Sequence, residues 1–198
     1  MTFDQSLAFL TFSLVAAITP GPSNVMITAT GSAVGLWRGL PCVLGASFGM
    51  ASLLFCTALG MGQLVLGHPL LLTAMNLLGA AFLLWLAWKI ATASPASEAA
   101  EAEPVGFFAA ALFQWANPKG WMVAVGAAST YLQVAPGSQI AQAVAFGALF
   151  FLAAFPSGLA WLVLGALLQT ALRNERTARI FNRVMGLALA ASVLMMFR

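Results

Sequence analysis

Lys119 is the charged residue that falls midway along an apolar, membrane-length stretch, and it directly follows a proline, in Ala116-Asn117-Pro118-Lys119-Gly120. A second proline break lies 98 residues upstream in this chain of 198, in Ile18-Thr19-Pro20-Gly21-Pro22-Ser23-Asn24. Lacking an N–H, Pro20 and Pro22 would strand the carbonyls of Ala16 and Ile18 in a helix, and Gly21 adds backbone freedom between them. Stranded backbone at membrane depth is tolerated only where it is buried in protein or lines a watery cavity. Two such breaks at corresponding places in two halves of a chain are how transporters build a substrate site at the bilayer midplane. A plain proline kink is the alternative for either break alone.

Pro22 suits the first position of a new half-helix. The N–H groups and positive dipole end of that half-helix would favour an anion, and Ser23 and Asn24 add hydrogen-bonding side chains. The candidate substrate-binding residues are thus Pro20, Gly21, Pro22, Ser23, Asn24, Asn117, Pro118 and Lys119. Gln114, Trp115, Trp121, Pro156 and Ser157 are further candidates for lining a pocket, with core packing the alternative for the two tryptophans.

An unpaired lysine at mid-membrane costs roughly 2.5–3.5 kcal/mol, so it normally faces a cavity. No Asp or Glu falls within any expected span. Lys119 can therefore take a carboxylate from a ligand, bind carbonyls freed by the prolines, or cap the first half of its own broken helix. Without a carboxylate to receive a cationic side chain, a zwitterion with a neutral side chain is the best-matched ligand.

These residues must be held by elements that suit lipid. Hydrophobic residues make up 62% of the chain and charged residues 7%, against roughly 45–50% and 25% in soluble domains. Residues 5–37, 39–88 (His68 aside) and 120–172 carry no charge, and the latter two must each fold back, at Leu66-Gly67-His68-Pro69 and at Val134-Ala135-Pro136-Gly137-Ser138. Six spans follow, at about 5–30, 40–65, 69–91, 106–132, 140–168 and 181–197. Loops after the odd-numbered spans hold Arg38, Lys89, Arg173, Arg176, Arg179 and Arg183, and the other side only Arg198, which places both termini in the periplasm of a bacterial cytoplasmic membrane. The start of the chain lacks the basic flank of a cleaved signal, so the first span is expected to be retained.

A polar linker at about 93–105, with Glu98, Glu101 and Glu103, divides a single transporter domain into halves of about 1–92 and 106–198. Three spans per half is an odd number, so homologous halves would be inverted: an all-α membrane protein whose spans one and four are the broken ones. Trp37, Trp85 and Trp88 read as an interfacial belt. Gly31, Gly35, Gly39, Gly45 and Gly49 recur at short intervals and read as packing between spans one and two, with a homodimer face as the second reading. Cys42 and Cys56, about 21 Å apart along one helix, are too distant for a disulfide.

The motifs Thr19-Pro20-Gly21-Pro22-Ser23-Asn24 and Asn117-Pro118-Lys119, with the glycine series, resemble those of the lysine exporter (LysE/RhtB) family of bacterial amino-acid exporters, over essentially the whole chain. The resemblance implies two inverted three-helix repeats and export of amino acids or close derivatives, powered by the proton gradient. Trp85-Leu86-Ala87-Trp88-Lys89-Ile90-Ala91-Thr92 looks like the branch that exports cysteine and O-acetylserine. Ser23 departs from the second Asn usual after Pro-Gly-Pro in that family.

Other classes fit poorly. An intramembrane enzyme needs a nucleophile with its base, a metal cluster or a carboxylate pair, and the sequence offers His68 in a turn and two distant cysteines. Export of an inorganic cation would call for oxygen ligands, usually carboxylates, at the site. The basic residues serve as membrane anchors and not for nucleic acid, and no cofactor or metal is expected. Lipid and a small amino acid are the expected partners.

Overall fold

A computed structural model describes residues 1–61, 67–92, 104–132, 139–171 and 174–194. They form seven α-helices, with no strand among the described residues: α1 (Phe3–Ile18), α2 (Pro22–Cys56), α3 (Pro69–Ala91), α4 (Phe107–Ala116), α5 (Pro118–Tyr131), α6 (Gln139–Ala171) and α7 (Glu175–Leu194). The linker at 93–103, the turn expected at 134–138, and Arg173 and Arg198 lie outside the described residues.

Both proline breaks are present. Thr2 starts α1 with a capping box, accepting from the Gln5 N–H at 3.3 Å while the Gln5 side chain accepts from the Thr2 N–H at 2.9 Å. The helix stops at Ile18 because Thr19 (φ −61°, ψ 127°) precedes a proline, whose ring disfavours helical geometry in the residue before it. Gly21 is also extended (φ −173°, ψ 179°), and Pro22 opens α2. At the second break a single extended residue, Asn117 (φ −87°, ψ 114°), separates α4 from α5, which starts on Pro118.

The turn between the first two spans takes one residue. Gly35 (φ 77°, ψ −175°) interrupts α2 in a conformation costly for any residue with a Cβ. The Thr30 hydroxyl lies 3.8 Å from Cys42 Sγ although 12 residues separate them. A straight helix would put them about 18 Å apart, so the arms 22–34 and 36–56 fold back on each other.

Two boundaries differ from the sequence expectation. The second span leaves α-geometry at Thr57, in a π-turn over Thr57–Met61 with Gly60 at φ 104°. The last helix starts at Glu175, not near 181: the Asn174 side chain caps it, accepting from the Arg176 N–H at 2.9 Å, and Glu175 pairs with Arg179 at 3.2 Å. Arg176, Arg179 and Arg183 therefore lie on a helix with a polar first stretch and not in a loop. The third helix does start as expected, on Pro69 after Gly67 and His68.

Pro22–Met61 and Gln139–Leu168 are long and apolar enough to cross a bilayer, the first being divided at Gly35. Large apolar side chains point outward on α1 (Leu7, Leu14, Val15), α3 (Leu77, Leu78), α4 (Phe108, Leu112) and α6 (Leu152, Leu167). A surface of this kind is suited to lipid and untenable in water. Trp37 and Trp88 are exposed at 80% and 71%, and Lys89 Nζ stands 5.3 Å above the Trp85 ring.

α2 packs chiefly on α6 and then on α4, α1 lies on α6, and α3 on α7. Glycines make these contacts backbone-close. Gly31 and Gly39 lie against Leu162 of α6, Gly165 of α6 against the Thr28 carbonyl, and Gly45 and Gly49 against the carbonyls of Phe107 and Ala111 in α4. The expected packing of spans one and two through this series is thus corrected: the glycines meet α6 and α4, because the reversal at Gly35 turns both arms toward the second half of the chain. At one end of the bundle, Phe9 stacks on Phe146 (centroids 4.4 Å apart) and tilts against Tyr131 (5.5 Å), closing α1, α5 and α6 together.

Candidate functional site

The two breaks meet. Lys119, in the first turn of α5, donates from Nζ to the Thr19 carbonyl at 2.6 Å, across 100 residues of sequence. Of the three ligands open to it, this structure supplies the freed carbonyl. The ammonium thus sits at the C-terminal, negative end of α1, where a cation is favoured. Its stem crosses Gly21, where an added Cβ would lie 2.9 Å from Lys119 Cδ and 3.1 Å from Nζ. Position 21 has no side chain because the lysine occupies that space.

The other carbonyls near the first break also find side chains. Asn24 Nδ2 donates to the carbonyls of Ala17 (3.2 Å) and Thr19 (2.9 Å), stapling the end of α1 to the start of α2. Trp161 Nε1 of α6 reaches the Ile18 carbonyl at 3.3 Å. One of the two carbonyls expected to lose its partner, that of Ile18, is therefore held by an indole, and breaking a helix at this depth leaves little backbone bare.

Beside this charged corner lies an uncharged relay. Ser23 Oγ donates to Gln114 Oε1 at 2.8 Å, and Asn117 Nδ2 donates to Ser23 Oγ at 3.1 Å. Asn117 Oδ1 accepts from the Lys119 N–H at 3.1 Å, capping α5, so one side chain both starts that helix and ties it to α2. Gln114 and Asn117 are 0% and 2% exposed; polar groups so deeply buried must find partners in the protein.

A half-open cavity of about 520 Å³, counting the open solvent at its mouth, lies between the breaks. Gly21, Ser23, Asn24, Gln114, Asn117 and Lys119 all line it. Pro20, Pro22 and Pro118 do not: they make the breaks and leave the contacts to their neighbours. Trp115 and Trp121 also lie outside the lining, packed edge to face at 6.1 Å in an apolar core, with Trp115 Nε1 donating to Ser52 Oγ at 3.2 Å and Trp121 Nε1 to the Trp115 carbonyl at 2.7 Å. Pro156 and Ser157 of α6 lie off the cavity face, the Ser157 hydroxyl bonding the Ala153 carbonyl at 2.8 Å. Ala154 and Gly158, four apart and so on one face, line it instead.

The remaining walls are Ala16 and Ala17 of α1, Ile27, Gly120, Val123 and Phe150 and, from the second arm of α2, Ala46, Ser47 and Met50. Small and apolar side chains of this kind are ordinary in membrane helices, so nothing in the sequence distinguishes them as lining. Along α6 the cavity sits between two apolar cores, with Phe146 in one and Leu162 in the other.

The family model described as LysE type translocator matches residues 14–197. A cysteine/O-acetylserine efflux protein of Salmonella typhimurium is 31% identical over 192 residues, 96% of each chain. Another of that name in Escherichia coli K12 is 29% identical over the same share, and one in Klebsiella pneumoniae is 38% identical over 126 residues, 63% of this chain and 64% of that protein. No solved structure matches the chain.

Proposed function

Because the chain belongs to the LysE type translocator family of multi-pass membrane proteins, we propose that it exports small neutral amino acids, or close derivatives, from the bacterial cytoplasm by alternating access. The cavity between the breaks is the substrate site in this reading. The observation that carries it is the Lys119 ammonium on the Thr19 carbonyl, bridging both broken helices at the edge of that cavity. A substrate carboxylate is a stronger partner for an ammonium than a neutral carbonyl, so a zwitterion arriving in the cavity would take Lys119 from Thr19. Its own ammonium would meet the carbonyls released. The names of the relatives agree with a small neutral substrate.

Six spans in two inverted repeats complete the proposal: α1 with the arm 22–34, the arm 36–56, and α3, answered by α4 with α5, then α6, then α7. The pairing of elements supports it. The arm 36–56 packs on α4, while α6 packs on α1, and α3 packs on α7, each contact having its counterpart when the halves are exchanged. Residues 1–92 and 106–198 then form one transport unit. The glycine series meets helices of its own chain, so it lends no support to a homodimer face. Proton coupling belongs to the proposal as well, with Lys119 the titratable side chain at the cavity to carry it.

Counterflow tests the function. Proteoliposomes holding the purified protein and an unlabelled small neutral amino acid should accumulate its labelled form, faster with a pH gradient than without one. No counterflow with any amino acid of a panel would overturn the reading, and counterflow indifferent to the gradient would remove the coupling alone. Orientation has its own expected result. A reporter active only in the cytoplasm should be silent when fused after Arg198 and active when inserted at Glu101, since the loops after the odd-numbered spans carry the basic residues. The reverse pattern would invert the topology.

A further inference from the structure

Polar groups lining the cavity fall into two hydrogen-bonded sets. In one, Lys119 Nζ and Asn24 Nδ2 converge on the Thr19 carbonyl, at 2.6 and 2.9 Å. In the other, Ser23, Gln114 and Asn117 bond only in uncharged pairs, at 2.8 and 3.1 Å. We propose that this uncharged relay reads the substrate's side chain, and that Ser23 is its specificity-determining residue, selecting small amino acids whose side chain can donate a hydrogen bond: a hydroxyl or a thiol. The proposal rests on the cavity being an amino-acid site and assigns one set to the zwitterionic head and the other to the side chain.

The bonding inventory supports the division. A hydroxyl has one donor and two acceptor positions, and a side-chain amide two N–H groups and two carbonyl lone pairs. Ser23 spends its donor on Gln114 and one acceptor position on Asn117, which leaves one lone pair. Asn117 keeps one amide N–H, and Gln114, whose Nε2 donates to the Ala110 carbonyl at 3.3 Å, keeps one N–H and one lone pair. Gln114 and Asn117 are 0% and 2% exposed, so of the three only the partly exposed Ser23 offers its free position to the cavity. A side chain with a hydroxyl or thiol can fill it, and an apolar one of equal size leaves it unpaired, the condition under which a site discriminates most strongly. Ile27 and Phe150 on other walls of the cavity cannot register polarity at all. Within the relay the Ser23 hydroxyl, whose donor is held by Gln114, can accept from a ligand while the two amides stay fixed.

The test compares counterflow of labelled serine and 2-aminobutyrate, which share a backbone and differ in a hydroxyl against a methyl. Wild-type protein should prefer serine by roughly five- to tenfold, the worth of about one net hydrogen bond. Ser23→Ala should bring the ratio to about one, and Ser23→Thr, which keeps the hydroxyl, should restore most of it. A wild-type ratio near one overturns the proposal whatever the variants do, so it does not depend on the stability of Ser23→Ala. A preference that survives Ser23→Ala, with both rates lowered alike, also overturns it and leaves Ser23 a structural residue. In both cases the exporter reading stands. Only a wild type that carries no amino acid of the panel would remove that as well.

Discussion

Lys119→Ala should abolish amino-acid counterflow while leaving the protein inserted and folded. The ammonium is bonded at 2.6 Å to a carbonyl freed by the first break, and in the loaded state it would hold the substrate carboxylate. A hydrogen bond to a charged group is worth about 1.5–3 kcal/mol, so substrate binding should weaken roughly ten- to a hundredfold. Folding should survive because Asn24 still holds the Thr19 carbonyl at 2.9 Å and Trp161 still holds that of Ile18. Lys119→Arg should be impaired and not silent, since a planar fork substitutes poorly for a compact ammonium above Gly21, where the stem already fills the space. The substrate offers the decisive comparison. Blocking its carboxylate as an amide should weaken binding to the wild type but change little for Lys119→Ala, since both changes remove one interaction. Equal binding of amide and free acid by the wild type would show that Lys119 serves the first break alone.

The second large effect should come from Gly45→Ala and Gly49→Ala, and should be one of stability. A Cβ at position 45 would fall on the Phe107 carbonyl group and within 2.8 Å of Phe107 Cα; at position 49 it would come within 2.8 Å of Ala111 Cα and 2.9 Å of Gln114 Cγ. Backbone cannot step aside as a flexible side chain can, so the arm 36–56 and α4 must separate along their length. Overpacking of this kind costs about 1–3 kcal/mol, and each kcal/mol lowers the melting temperature by about 2–4 °C at this chain length. Gly126→Ala is the control, because nothing lies within 4 Å of the added carbon and helix propensity favours alanine. Thermal unfolding of the three variants in detergent should separate the first two from the third, and equal midpoints would show the close approach to be dispensable. Gly49→Ala should also disturb transport, since Gln114 lines the cavity.

Both breaks are legible in the sequence because proline acts on its own backbone and its neighbour's, with little say from the rest of the fold. Thr19 and Asn117 are extended for that local reason. The starts of α3 and α5 on Pro69 and Pro118 share that legibility. What composition hides is set at long range. Which carbonyl Lys119 would find depends on how α5 meets α1, and Trp161, which serves the Ile18 carbonyl, looks in sequence like any aromatic residue of a lipid-facing helix. The walls from Ala46, Ser47, Ala154 and Gly158 escape notice because small residues suit tight packing and open space equally well. Trp115 and Trp121 beside the Asn-Pro-Lys element lie outside the cavity lining, packed on each other in an apolar core that no local feature of the sequence announces. The reversal at Gly35 is sharper than a loop near Arg38 because a single positive φ does the turning.

The two joints differ as mechanical parts. α4 and α5 meet through one residue, Asn117, whose side chain caps the second helix, so that joint is short and braced from within. α1 hangs from α2 by three residues, Thr19, Pro20 and Gly21, and two of the side chains that moor it, Lys119 and Trp161, belong to the other half of the chain. A mooring of that sort can be cast off without breaking any helix. Drawing Lys119 away from Thr19 would remove one of those lines and leave Asn24, Trp161 and the Phe9–Phe146 stack to hold α1, so the first joint is tied across the two halves of the chain.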